Sequence, residues 1–141
     1  MIINQISIFL ENKHGKLSEL LALLGKENIR IIAATVADTT EFGILRMIVA
    51  DPQKAYQLLN DHHVNATLTE VLAITTASDA KTFASTLDLF TQACLSIEYM
   101  YCFSVKEKSF LILRVNNPEV ALDIIKQNAI ACITENELIN I

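Results

Sequence analysis

The sequence predicts an α+β protein made of two βαββαβ units, and three observations carry that expectation. The chain matches itself when shifted by 66 residues, apolar residues alternate in some segments and recur at helical spacing in others, and the only two prolines stand 66 residues apart. Under that shift Gly15 falls on Lys81, Leu17 on Phe83, Leu21 on Leu87 and Leu24 on Phe90. Ile29 and Ile31 fall on Leu95 and Ile97, and Pro52 falls on Pro118, with Ala55 and Ala121 following at the same distance. Between these anchors EFGILRMIVADP answers KSFLILRVNNP, with Arg46 set over Arg114 by a two-residue slip that is expected in a hairpin.

Each element follows in order. ISIFL alternates as a half-buried strand, and Leu17, Leu20, Leu21 and Leu24 give one apolar helical face. NIRIIAATV and FGILRMIVA are β-branched strands joined by ADTTE; Pro52 opens a helix through Tyr56, Leu58 and Leu59; VNATLTEVLAI closes the unit as a strand. The second half repeats the order with VLAITT, a helix from about Lys81 to Cys94, LSIEYMYCF, SFLILRV, a helix through Val120, Ile124 and Ile125, and a short closing strand. Residues 69–75 must end one unit and begin the next, which sets the domains at 1–70 and 71–141. A βαββαβ unit makes a four-stranded antiparallel sheet with two helices on one face, the ferredoxin-like arrangement. In FGILRMIVA, Phe42, Ile44 and Ile48 line one face while Leu45, Met47 and Val49 line the other, so both faces need cover. Either the halves meet or two chains do, and a hydrophobic content of 52% favours a homodimer.

Composition excludes several classes. The net charge of −5 divides as −2 over residues 1–70 and −3 over residues 71–141, from six Lys or Arg against eight Asp or Glu and then five against eight. An acidic chain with no basic cluster lacks the footprint that phosphate-backbone binding needs, so nucleic acid is not an expected partner. The apolar runs stop well short of a bilayer span, no membrane association is expected, and MIINQISIF lacks the features of a secretory signal, which makes the cytoplasm the expected location. Cys94, Cys102 and Cys132 fit neither a disulfide framework nor a paired metal site and are expected to be buried free thiols. No cofactor is expected.

ENKHGKLSELLALLGKEN places Asn12, Lys13, His14, Gly15 and Lys16 at the entrance of the first helix. A helix start collects backbone N–H groups without partners and suits an anion, although the same cluster also serves as a plain capping turn. His14 has no second histidine or nucleophile near it in sequence, and His62 and His63 read as exposed turn residues beyond a helix. Tyr99 and Tyr101 share one strand face and need no ligand to be there, while Glu98, pointing the other way, is either in water at a sheet edge or bonded. Arg46 and Arg114, set at equivalent positions, read as architectural.

The tandem units resemble a pair of ACT domains, on the loop ENKHGKL, the NIRI turn, and IEYMYCF followed by FLILRVNNPEVAL. The resemblance spans the whole chain and implies two ferredoxin-like units with sheets joined side by side, binding an effector, usually an amino acid, between the entrance loop of one unit and the second strand of its neighbour. It implies a ligand site at Asn12, Lys13, His14, Gly15, Lys16 and Leu17, with Glu98, Tyr99, Met100 and Tyr101 as the opposing wall. His14 replaces the proline usual in that family, and the second loop, Ser78 to Lys81, lacks both the proline and the glycine. A lysine at the glycine position resists positive φ, so that loop is expected to take another path and to lose the pocket. The expected function is a non-catalytic regulatory protein acting on a separate metabolic enzyme; the alternative is an oligomerising scaffold without a ligand. An RNA-binding reading lacks strand aromatics and basic residues, a copper carrier lacks a Cys-x-x-Cys, and an acylphosphatase-like enzyme lacks a loop arginine.

Overall fold

A computed structural model of the protein describes residues 2–11, 13–38 and 41–141, in all but the side chain of residue 38. The elements are β1 (Ile2–Glu11), α1 (Lys16–Lys26), β2 (Ile31–Asp38), β3 (Phe42–Val49), α2 (Pro52–Asp61), β4 (Ala66–Thr76), α3 (Ala80–Gln92), β5 (Ile97–Val105), β6 (Lys108–Val115), α4 (Pro118–Gln127) and α5 (Glu135–Ile139). The strands hydrogen-bond in the order β2-β3-β1-β4-β6-β5, with every ladder described antiparallel. The βαββαβ pattern thus occurs twice. The chain divides into two compact units, Asn4–Thr69 and Glu70–Ile141, the latter also taking the start of β1. Strand β4 runs from the end of the first unit into the start of the second.

In the N-terminal unit, Ile6 and Ile8 of β1 and Leu45, Met47 and Val49 of β3 pack under Leu20 and Leu24 of α1 and Ala55 and Leu59 of α2. In the C-terminal unit, Leu72 and Ile74, then Leu111, Leu113 and Val115, pack under Phe90 of α3 and Ala121 and Ile125 of α4. Subtracting 66 from each of these second-unit numbers gives a core residue of the first unit. The ladders agree: Ile6 pairs with Met47 as Leu72 pairs with Leu113, and Asp38 pairs with Gly43 as Ser104 pairs with Ser109. The two-residue slip read from the sequence is therefore wrong. Arg46 occupies the position of Ile112, Arg114 that of Ile48, and the arginines are not equivalent. A slip of two leaves every side chain on its own face of the strand, so alternation cannot expose it; only the hydrogen-bond register can.

Helix ends repeat as strictly as the core. Each of α1 to α4 is followed by a non-glycine residue in the left-handed region: Asn28 (φ 55°), His63 (58°), Cys94 (57°) and Ala129 (50°). The next residue, Ile29, Val64, Leu95 or Ile130, returns its N–H to the carbonyl of Leu24, Leu59, Phe90 or Ile125 at 2.9–3.1 Å. This is the Schellman arrangement, in which the apolar residue after the turn meets the apolar residue of the last helical turn. Helix starts follow the repeat too. Asp51 and Asn117 accept from the N–H of Lys54 (3.0 Å) and Val120 (3.3 Å), each just before a proline. Asp79 caps α3 by accepting from the N–H and hydroxyl of Thr82 at 2.9 and 2.8 Å, bonds that hold its carboxyl below its ordinary value.

The C-terminal unit ends differently from the N-terminal one. The expected closing strand of the second is a single bridge, Cys132 opposite Ile74, after which α5 starts at a capping box of Thr134 and Glu137. Leu138 of α5 is buried, and the chain is spared a full edge strand there. The hairpin between β5 and β6 turns through Lys106 and Glu107, both at positive φ, where asparagine and glycine are the easier choices. The thiols are free, as expected, but not buried: Cys94 and Cys102 are exposed and Cys132 is half-buried. Cys94 is the left-handed residue after α3 and Cys102 faces outward on a strand that ends the sheet order, places where a side chain is not enclosed.

Two outcomes follow. Ala129→Gly relieves a left-handed strain of about 1 kcal/mol, raising the melting temperature by about 2–4 °C, whereas Ala55→Gly, inside a helix, lowers it. For Asp79 the folded-state value lies below the unfolded one, so its contribution is full above the unfolded range and fades as pH falls through the folded value. Melting curves of wild type and Asp79→Ala should be separate at pH 7 and converge on acidification below about pH 4.

Candidate functional site

One helix start differs from the other four: α1 begins at Gly15, held at φ 85° and ψ −10°, with no side-chain cap. The loop closes on itself through Lys13 N–H to the Glu11 carbonyl (2.8 Å) and Lys16 N–H to the Lys13 carbonyl (3.2 Å), and Glu19 N–H reaches the Gly15 carbonyl (2.9 Å). The N–H groups of Leu17 and Ser18 take no acceptor among the described residues. Such paired donors at the positive end of a helix suit a carboxylate. A Cβ on Gly15 would meet nothing within 4 Å, so what demands glycine is the left-handed backbone and not crowding.

The cations here are partly engaged. Lys13 Nζ lies 2.8 Å from Glu11, which holds the Glu11 carboxyl below and the Lys13 ammonium above their ordinary values, chiefly through that hydrogen bond. Lys16 stands 3.9 Å from Glu19, a looser pair between exposed groups. Beside the loop a shallow cavity of about 280 Å³ is lined by Glu11, Lys13, Glu41 and Phe42. Sequence reading missed Glu41 and Phe42; the ladder that pairs Glu11 with Phe42 brings them there, and Phe42 stacks on Phe9 at 4.9 Å. His14 and Leu17 are exposed around the same turn, and Asn12 lies outside the described residues.

At the matching place in the second unit the arrangement is reversed. Helix α3 starts at Ala80, two residues earlier in the repeat than α1, so Lys81 lies within the helix and no positive φ is asked of it. Asp79 stands where the first unit has Lys13, and its own carboxylate fills the helix start. Ser78 is hydrogen-bonded to Ser109, which also meets Ser104 at 2.9 Å. The second entrance therefore does take another path, closed by a resident anion.

The strand residues expected to face a ligand lie on β5 of the C-terminal unit, whereas the loop belongs to the N-terminal unit. Glu98 and Met100 are exposed, and Tyr99 and Tyr101 are half-buried on the opposite face. Glu98 is bonded: its carboxylate is 3.3 Å from Nε of Arg114, which also donates to the Glu70 carbonyl at 2.7 Å. Arg114 thus ties β5 to β4 across β6. His62 and His63 are exposed, as read from the sequence. Among the described residues no three His, Cys, Asp or Glu side chains gather as metal ligands, and no helix is long and apolar enough to cross a membrane.

Comparison with known proteins agrees with this topology. The chain matches the family described as ACT domain pair over residues 1–141. Protein BT0572 from Bacteroides thetaiotaomicron is 35% identical, with a TM-score of 0.92 over 100% of this chain and 98% of that one. The ligand-free regulatory subunit of aspartate kinase from Thermus thermophilus shares the fold, with a TM-score of 0.61 at 16% identity over 90% of this chain and 96% of that one. Its counterpart from Thermus flavus gives 0.60 at 16% identity, over 90% and 94%. No curated protein matches. With the family profile matched end to end and the βαββαβ pattern present twice, the chain belongs to the ACT domain pair family.

Proposed function

We propose that the protein is a non-catalytic regulator that binds an amino acid or a similar small metabolite at the entrance of α1. The observation that carries this reading is the contrast between an uncapped, glycine-led helix start in one unit and a carboxylate-capped start in the other. A ligand carboxylate would take the N–H groups of Leu17 and Ser18 with Lys13 and Lys16 alongside, while Gly15 allows close approach. Its ammonium needs oxygen acceptors, which Asn12, Glu11 or strand carbonyls supply. His14 and Leu17 flank that position, and we assign Glu98, Tyr99, Met100 and Tyr101 to the opposing wall. Because β5 ends the strand order, a second copy of the chain is the source we assign for that wall, in a homodimer.

Family membership supports regulation, and the fold is one that regulatory subunits such as those of the Thermus aspartate kinases use. We assign regulation to a separate metabolic enzyme. Regulation then requires that the ligand favour one arrangement of the assembly over another, since equal affinity for both shifts nothing. The Lys13–Glu11 pair favours a second reading, a scaffold without a ligand, because it neutralises one of the loop cations.

A thermal-shift screen of the twenty amino acids separates these readings. At a concentration of about 100 times Kd, a binding amino acid adds about 2.7 kcal/mol, a rise of about 5–10 °C for a chain of this length. Gly15→Val abolishes the shift by denying the exposed entrance turn its left-handed backbone, with a circular-dichroism spectrum like that of wild type showing that the variant is folded. Asp79→Ala keeps it. A flat screen, or a shift that survives Gly15→Val, contradicts the loop site. Sedimentation at micromolar concentration should give the mass of two chains; a strict monomer contradicts the shared wall.

A further inference from the structure

Between α1 and the turn from α2 into β4, the N-terminal unit holds an open cleft of about 330 Å³ whose apolar lining is Leu10, Leu20, Leu23 and Val64. Its polar lining is Lys16, Glu19, His62 and His63. We propose that this cleft binds a small apolar carboxylate, with the hydrocarbon against the leucines and the carboxylate between Lys16 and the two imidazoles. The site borders the entrance loop, with Lys16 common to both, but lies on the other side of α1's first turn and asks for no amino group.

The internal repeat supplies the control. The backbone at this place is the same in both units, with the Schellman turn built once on His62 and His63 and once on Asn128 and Ala129. Ala129 holds the left-handed position at φ 50° as His63 does at 58°, so the turn needs no imidazole. The other polar positions diverge likewise: Lys16 corresponds to Thr82, Glu19 to Ser85 and the floor residue Leu20 to Thr86. The fold therefore does not require Lys16 and the two histidines at this rim.

Chemistry fixes the ligand class. The Leu58 carbonyl can only accept, so Nδ1 of His62 donates to it at 2.9 Å, and Nε2 donates to a carboxylate when the ring is an imidazolium. Lys16 is held only loosely by Glu19 at 3.9 Å, so its ammonium is available. Three nitrogen-bearing side chains around four aliphatic ones suit an anion with a short hydrocarbon tail, and the volume is at the small end for ligand pockets.

The test is a titration of the isotope-labelled full chain with 4-methylpentanoate and with its neutral amide, followed by amide chemical shifts. Saturable shifts are expected at Leu23, His63 and Val64 with the acid, with the amide binding about tenfold more weakly. The double variant His62→Gln with His63→Ala should also bind about tenfold more weakly while folding normally, since alanine already serves at position 129. Equal affinity for acid and amide, full binding by the double variant, or no saturable shift overturns the proposal. Saturable shifts of the acid at Leu17 and Ser18 in place of Leu23, His63 and Val64 also overturn it, by assigning the probe to the loop. Failure of every amino acid to bind, with the acid still held in the cleft, would defeat the loop reading alone.

Discussion

Everything in this fold depends on how a helix hands the chain back to the sheet. Four times the chain leaves a helix through one left-handed residue, and the apolar residue behind it closes over the last turn. That contact satisfies carbonyls the helix leaves open and sets the point at which the next strand begins. Because the residue pairs recur at a spacing of 66, the cores, ladders and helix caps recur with them. None of the four turns uses glycine, so each unit carries strain in its helix ends and offsets it by burying Leu24, Leu59, Phe90 and Ile125 beneath them.

Against so regular a frame, departures from the repeat are the informative positions. Architecture is common to both units, and what only one unit has is free to serve something else. Gly15 and Lys13 against Lys81 and Asp79 give one helix start that can receive an anion and one that already holds its own. The histidines beyond α2 against Asn128 and Ala129 mark a second divergence a short distance along the same unit. The C-terminal unit diverges at its end, where α5 replaces a strand.

The sequence made the topology legible because its signals were local and repeated. Alternation in ISIFL and FGILRMIVA, helical spacing of leucines, and proline at two helix starts each report a nearest-neighbour constraint, and all agreed. The register between β3 and β6 was not legible, since identical residues at Arg46 and Arg114 suggested a slip that alternation cannot reject. The left-handed turns were hidden because asparagine, histidine, cysteine and alanine stand where glycine would have announced them. Helix α5 did carry a signal, Thr134 three residues before Glu137, which the expectation of a closing strand obscured. Of the site, the glycine-led entrance was readable and the Asp79 cap only in outline. Glu41 and Phe42 were not, because only cross-strand pairing brings them to the loop.

The central claim is that an amino acid's carboxylate is received by unpartnered amides at one helix start and refused at the other. Backbone amide shifts recorded while each amino acid is added test it most directly. The account predicts that Leu17 and Ser18 move downfield to saturation with one or more of them while Thr82, already bonded to Asp79, stays fixed. Movement of Thr82 with Leu17 and Ser18 unmoved, or no movement at either helix start with any amino acid, would contradict it.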